Sequence, residues 1–389
     1  MTQFFTALCR AGYVSARVAP VLFDRRDGVY PVEAFVSGCC PQCLEPTCGG
    51  ICEACGHPND CVNLLGLDRG RYEVRHQHRL FLDLERFRPE LDERIEGLAC
   101  RRPAFRRLTA SLLARKLEPF CLSYVTRRGI DATPFGAAGQ RLNVWAEMFP
   151  GHMFWLTELA GPSLADARYV QFLGFDNSYF YVVVHMALAL AARRCGLEWP
   201  IPSALVTNQF YYLDAGKFST SKRHAVWARD LAAECNPDLT RLFLALHGPE
   251  YQEAAFTRGL FDLIVADLAG TINGLAAAYN DARHRSPVAT APVPEVAGTM
   301  CRALPLDEHS SATLARRAVD AIGYLNHLTR NGGGVDVATV PAAMTLSLEP
   351  FCPTYAMELR CQFGFGSLAW GSLPRCDVDR AMPAIRVRP

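Results

Sequence analysis

Ala215-Gly216-Lys217-Phe218-Ser219-Thr220-Ser221-Lys222-Arg223 follows a strand-like run at 209–213 and precedes a helical pattern. A glycine-led turn carrying lysines and hydroxyls between a strand and a helix can embrace polyphosphate through backbone N–H groups and ammonium charge. The spacing G-x-x-x-x-G-K-[ST] is absent, which excludes a P-loop NTPase. Upstream of the loop, short β-type runs at 120–125, 142–145, 169–174 and 204–213 alternate with helical patterns, notably 179–194, as a parallel α/β sheet requires. Downstream, from Ala225, the apolar residues Leu242, Leu244, Leu260, Leu263, Ile264 and Leu268 recur mostly three and four apart, which predicts a helix bundle. The Pro/Ala-rich stretch 287–294 and the glycines at 332–334 read as loops, and residues after 374 as an irregular tail.

Seven of the sixteen cysteines fall between Cys39 and Cys61. Cys40-Pro41-Gln42-Cys43 and Cys52-Glu53-Ala54-Cys55 form two C-x-x-C pairs separated by eight residues, with glycines around them. Each pair makes a tight turn that aims two thiolates at one point, and two turns complete a closed tetrahedral site, so the motif reads as a structural zinc knuckle over 36–66. A redox dithiol and a knuckle without metal are its rivals. His57 and Asp60 read as loop residues, and the remaining cysteines as small buried hydrophobes.

Half of the 389 residues are apolar, a fifth are charged, and the formal net charge is +1, so the chain can bury a core and carries no field of one sign. No apolar run is expected to reach the roughly 18 residues of a membrane span; the longest, 179–192, then meets Arg193 and Arg194. The N-terminal residues lack a secretory pattern, which makes the cytosol the expected compartment and thiols the expected state of the cysteines. Three segments are expected: 1–118 with the knuckle, 119–230 with the α/β pattern and the phosphate loop, and 231–389 with the helices and tail.

The loop at 215–223 resembles the KMSKS signature of class I aminoacyl-tRNA synthetases, and motifs in the same order along the chain resemble methionyl-tRNA synthetases. The knuckle text appears as Cys40-Pro41-Gln42-Cys43 and Cys52-Glu53-Ala54-Cys55-Gly56 after Phe35-Val36-Ser37-Gly38. The strand before the amino-acid pocket appears as Asn143-Val144-Trp145 and continues to His152; the G-K-D segment appears as Gly174-Phe175-Asp176; a bundle phrase appears as Pro353 to Leu359. The resemblance implies an α/β fold: a partial class I synthetase Rossmann-like parallel sheet with a zinc-knuckle insertion, followed by an α-helical bundle. It implies an ATP-dependent ligase that uses magnesium, forms an aminoacyl adenylate and transfers it to tRNA, or to a small-molecule acceptor such as a hydroxylamine in natural-product biosynthesis.

Residue by residue, the resemblance assigns Lys217, Ser219, Ser221 and Lys222 to the pyrophosphate, Gly174 and Asp176 to nucleotide or amino acid, and Trp145, Phe149, His152 and Tyr181 to the amino-acid pocket. Asn273 falls where the family reads the anticodon. The bland alternatives are core aromatics for Trp145, Phe149 and Tyr181, a helix cap for Asp176, and core histidines for His152 and His185. Several positions depart from the family. Thr220 replaces a lysine, Phe218 a methionine and Phe175 a second lysine; Glu147, Met148, Phe149, His152 and Tyr181 rebuild the pocket wall. None of the ten histidines lies in an H-x-G-H context. The expectation is therefore that a partner chain or an upstream region supplies the HIGH motif, with a non-catalytic, partner- or RNA-binding subunit as the alternative.

Overall fold

The computed structural model describes residues 1–161, 168–214, 216–218, 223–284, 297–299, 301–302, 304–332, 335–370 and 372–388. The chain packs as two compact units, Met1–Asn208 and Gln209–Pro389. The first joins the knuckle segment to the α/β pattern; the phosphate-loop segment, expected to close the α/β half, packs with the helices.

In the first unit, helix α1 (Thr2–Arg10) buries Phe4, Phe5 and Leu8, the one-sided stripe of an amphipathic helix. Strand β1 (Val14–Asp24) leads to the knuckle arm, made of the short antiparallel pairs β2 (Ser37–Cys39) with β3 (Pro46–Cys48) and β4 (Gly50–Ile51) with β5 (Pro58–Asn59). Strand β6 (Tyr72–Leu82) then runs back antiparallel to β1, with Val14 opposite Leu82 and Asp24 opposite Tyr72. This strand was not expected, because its only buried apolar residues are Leu80 and Leu82, beside a buried Arg79, and the polar run Arg75-His76-Gln77-His78 hides the alternation. Helices α2 (Arg88–Glu96) and α3 (Pro103–Leu113) each carry proline in the first turn, where no N–H is needed.

Two expectations for the sheet are corrected here. The run 120–125 forms two short strands, β7 (Phe120–Cys121) and β8 (Ser123–Tyr124), which pair antiparallel with β6 and with β9 (Arg141–Leu142) instead of joining a parallel sheet. The strand expected over 142–145 stops at Leu142. The Asn143 side chain accepts the Trp145 N–H at 3.0 Å, which caps helix α4 (Val144–Ala160). The parallel element is β10 (Val170–Gly174) beside β11 (Ala204–Asn208), in register Val170 to Ala204, extended by a parallel bridge from Ala99 to Ala204. Between them, a wide π-helical turn at Phe180–Val184 runs into α5 (His185–Arg194), whose residues 185–192 are all buried.

The second unit opens with β12 (Tyr211–Leu213), which forms a hairpin with β13 (Gly216–Lys217) and pairs in parallel with β14 (Ala254–Phe256). Around this small sheet lie helices α6 (Ala228–Glu234), α7 (Pro237–His247), α8 (Arg258–Ala282), α9 (Ser311–Asn331), α10 (Val340–Leu348) and α11 (Pro353–Phe363), the expected bundle. Asn236, Thr257 and Ser310 cap α7, α8 and α9, and Gly332, at φ +66°, ends α9 in the left-handed conformation that glycine tolerates. Asp238, buried in α7, accepts the Thr354 and Tyr355 N–H groups and so caps α11 from a neighbouring helix. The Pro/Ala stretch 287–294 and residues 333 and 334 lie outside the described residues.

Helix α8 corrects the membrane-span reading. It has 25 residues, and its most apolar 18-residue window has a mean hydropathy of 1.5, which is long and apolar enough for a span. Asp262 and Asp267 break up its sequence, which is why inspection of uninterrupted runs passed it over. Its buried residues Phe261, Val265, Leu268, Ile272, Leu275 and Tyr279 belong to the core of the second unit.

Candidate active site

Four of the expected pocket positions lie on α4 and on the π turn that leads into α5. The Trp145 ring stacks on Phe180 at 4.0 Å and 6°. His152 stacks on Tyr181 at 5.8 Å, and both contact the His185 ring, at 5.9 and 4.7 Å. The extra residue per turn in the π segment sets Phe180 and Tyr181 beside Trp145 and His152. Phe149 is placed differently: at 3% exposure it packs among Phe4, His185 and Trp199 in the core.

His185, at 3% exposure, is the core histidine that the sequence suggests. Its Nε2 lies 2.7 Å from the Trp145 carbonyl, which can only accept, so Nε2 carries the proton and Nδ1 is a bare acceptor. Burial pushes its pKa down to about 4, despite the Trp145 bond, so the ring stays neutral. That Nδ1 is buried and has no partner among the described residues. Burial also lowers His152 and raises Tyr181, leaving a cluster of uncharged rings with polar atoms.

At the carboxyl end of β10, where open α/β sheets bind ligands, lie Gly174 and Asp176. A Cβ on Gly174 would stand 2.6 Å from Asp176 Oδ1, so the glycine is what lets the carboxylate fold back over the strand end. Asn177 Nδ2 holds the same oxygen at 3.2 Å. Phe175, which replaces the family's lysine, is buried and meets the knuckle: a Cβ on Gly56 would lie 3.2 Å from its ring and 2.6 Å from Leu108 of α3.

The knuckle brings Cys40, Cys43, Cys52 and Cys55 together, with all four sulfurs within 4.8 Å of one another. Cys40 and Cys55 sulfurs are 3.8 Å apart, and those of Cys43 and Cys52 are 3.6 Å apart. Both distances are far too long for a disulfide. Four thiolates at about 2.3 Å from a tetrahedral zinc lie about 3.8 Å apart, so this cluster could hold that ion with no further ligand. Burial pushes Cys55 up; in Cys52 the Cys55 and Ala54 N–H groups outweigh burial and lower the thiol. His57 is no ligand: its Nε2 pairs with Ser111 Oγ of α3 at 3.0 Å.

Lys217 belongs to the second unit, where its backbone pairs with Tyr212 in the β12–β13 hairpin. His224 Nε2 lies 3.0 Å from the Leu213 carbonyl and would lie 2.8 Å from a Cβ on Gly216, so the base of the loop is closed against glycine. Asp214 and Arg223, at the two ends of the loop, have φ near +53° and +54°, in the left-handed region. Ser219, Thr220, Ser221 and Lys222 lie outside the described residues.

The family model for tRNA synthetases class I (M) matches residues 1–278. The chain belongs to that family. It is 27% identical over 272 residues to a methionine–tRNA ligase of Pyrobaculum islandicum, covering 66% of this chain and 47% of that one. Over 311 residues it is 25% identical to the enzyme of the same name from Roseiflexus castenholzii, covering 73% and 52%. The chain thus spans about half the length of the curated relatives it matches. Its fold is that of Mycobacterium tuberculosis methionyl-tRNA synthetase, solved with methionyl-adenylate, at a TM-score of 0.70 and 14% identity, covering 99% of this chain and 79% of that one.

Against this family background, two features of the chain stand out. Asn273, the residue expected from the resemblance to face the anticodon, spends its amide on the C-terminal tail: Nδ2 donates to the Ile385 carbonyl at 3.0 Å and Oδ1 accepts the Ile385 N–H at 2.8 Å. One helical repeat on, Asn280 holds Met382 in the same two-bond way. The second feature is Glu33, which the sequence reading missed. Its carboxylate accepts the Tyr124 hydroxyl at 2.7 Å, while Asn143 Nδ2 donates to the same Tyr124 oxygen at 2.9 Å. An acid set inside the apolar run Tyr30–Val36 was the signal available for it.

Proposed function

We propose that this chain is the body of an ATP-dependent ligase that activates an amino acid as its adenylate and transfers it to an acceptor, with a HIGH-bearing polypeptide supplying the remaining phosphate contacts. The observation that carries the reading is the union, in a member of this family, of the ring cluster at Trp145, His152, Tyr181 and His185 with the Gly174–Asp176 turn at the end of a parallel strand. In this reading Trp145 and Tyr181 wall the amino-acid side chain, and Asp176 accepts from the ribose or the amino group. Lys217, with Ser219, Ser221 and Lys222, draws charge off the departing pyrophosphate, ATP being bound with magnesium. Zinc in the knuckle is structural, and a closed thiolate site suits a reducing, cytoplasmic setting.

The acceptor is tRNA in the family. The engaged amide of Asn273 and the rebuilt pocket favour a small acceptor here, such as a hydroxylamine in a natural-product pathway. A second reading, a non-catalytic subunit that binds RNA or a partner synthetase, is favoured by Phe175 and Thr220, which stand where the resemblance expects cations at the nucleotide. Pyrophosphate exchange with each amino acid in turn, with and without a HIGH-bearing polypeptide, separates the two. Exchange with one amino acid supports the ligase, and Lys217→Ala should then slow it about a hundredfold or more with little change in amino-acid affinity. A Lys217→Ala chain as active as the parent removes the phosphate-loop assignment. No exchange under any pairing leaves the subunit reading.

A further inference from the structure

Between β1, β6 and the knuckle arm the first unit holds a cavity of about 640 Å³. Glu33 and Asp60 both line it, and the proximity of Asp60 raises Glu33 further above the level set by burial. The single buried cation beside them, Arg79, is taken: it lies 3.3 Å from Asp60 Oδ2 and donates its Nε to the Ser123 carbonyl. Glu33 therefore has one neutral donor, the Tyr124 hydroxyl, and no positive partner among the described residues.

A second observation is independent of that charge. Asn59, on β5, lines the same cavity and is 9% exposed, yet neither its Nδ2 nor its Oδ1 has a hydrogen-bond partner. Burying both halves of an amide without partners is expensive, and such groups in folded proteins are satisfied by something. The backbone around them is cleared for the purpose. A Cβ on Gly50, at φ +99°, would meet Glu33 Cγ at 3.2 Å, and one on Gly49 would meet Cys61 Sγ at 2.4 Å. Val18, Leu22 and Phe81 supply apolar wall.

We propose that this cavity binds a small organic cation, its ammonium on the Glu33 carboxylate and an amide-like donor–acceptor group on the Asn59 side chain, with an apolar body between them. The site goes beyond the adenylation chemistry proposed above and stands whether or not that chemistry is found. It is set apart from the amino-acid pocket by its residues: Trp145, His152 and Tyr181 do not line it. Phe180 lines the cavity and stacks on Trp145, so a ligand here lies behind the wall of that proposed pocket.

The test is calorimetric titration of the full chain with a series of ω-amino amides of three to seven carbons and with 4-(aminomethyl)benzamide. Benzylamine and 4-methylbenzamide are the half-ligands. The expected result is saturable one-to-one binding by at least one member, weakened tenfold or more when either polar end is removed. Asn59→Leu should weaken binding tenfold or more without lowering the melting temperature of the unliganded chain, because the amide it deletes has no partner to lose. Glu33→Gln should abolish the preference for the ammonium over the neutral half-ligand. Absence of binding across the series at millimolar concentration overturns the proposal. So does undiminished affinity in Asn59→Leu, and so does a marked fall in its unliganded melting temperature, which would give Asn59 a structural role.

Discussion

Glu33 sits in a left-handed backbone conformation, φ +44°, and burial holds its carboxyl above the usual range against the lowering effect of the Tyr124 donor. An acid with a raised folded pKa favours the fold while it is protonated and loses that contribution as pH rises through the folded value. Glu33→Gln keeps an acceptor for Tyr124 and removes the charge. The variant should therefore melt higher than the parent at pH 8, and the gap should close as pH falls to the ordinary carboxylate range; a gap that widens towards low pH would reverse the sign. Gly174 gives a second test at this scale. Gly174→Ala pushes against Asp176 Oδ1, the end of a side chain that can swing away, so the fold should survive with a melting temperature close to that of the parent. Nucleotide or amino-acid binding should nevertheless weaken as it does in Asp176→Ala, and unchanged binding in both would remove Asp176 from the site. The roles proposed for Lys217 and Asp176 rest on motif positions legible in the sequence, whereas the surroundings of Glu33, Asn59 and His185 were not legible, because an orphaned amide or a bare Nδ1 exists only once the chain has folded around it.

Among the elements, the knuckle is coupled to the strand end by packing. Gly56 lies against Phe175 and Leu108, His57 against Ser111, and Gln42 accepts from Arg115 just beyond α3. Metal binding and knuckle folding are linked, so Cys40→Ser with Cys52→Ser should release about one zinc per chain and loosen the Phe175–Asp176 turn as well. Hydrogen exchange should quicken over 103–113 and 172–177 together with the knuckle; quickening confined to 36–66 would show that the packing transmits nothing. Phe175 is the hydrophobic link between the two. The knuckle was readable because its cysteines are close in sequence, and α5 because its burial is complete. β6 was not, since its partner strand lies some fifty residues away and its outer half faces solvent; the cap at Asn143 turned a strand-like run into the start of α4.

For the whole molecule, each unit has its own core. The first is built around Phe4, Phe87, Phe105 and α5, the second around Phe243, Phe261, Tyr279 and Leu359. The sequence placed a boundary near 230, at the end of the phosphate loop. The loop's strand, however, pairs with β14 at 254–256, a long-range parallel pairing that local pattern does not reveal. The second unit is also held by its tail: Met382 and Ile385 are 4% exposed, Asn273 and Asn280 clasp the tail backbone, and the Tyr355 hydroxyl donates to the Pro383 carbonyl at 2.8 Å. Truncation after residue 376 removes two buried side chains and at least five hydrogen bonds to the helices, and leaves both asparagine amides bare. Burial of two such side chains alone contributes about 3–6 kcal/mol, a large share of a typical domain's stability. The truncated chain should thus show an early melting transition for the second unit, while zinc chelation, acting on the knuckle, should shift the transition of the first. Trp227 and Trp370 lie in the second unit and Trp145, Trp155 and Trp199 in the first, so replacing either set with phenylalanine assigns each transition by fluorescence. If truncation leaves the melting of the second unit unchanged, the tail is a passenger, and the amide of Asn273 is available to a ligand after all.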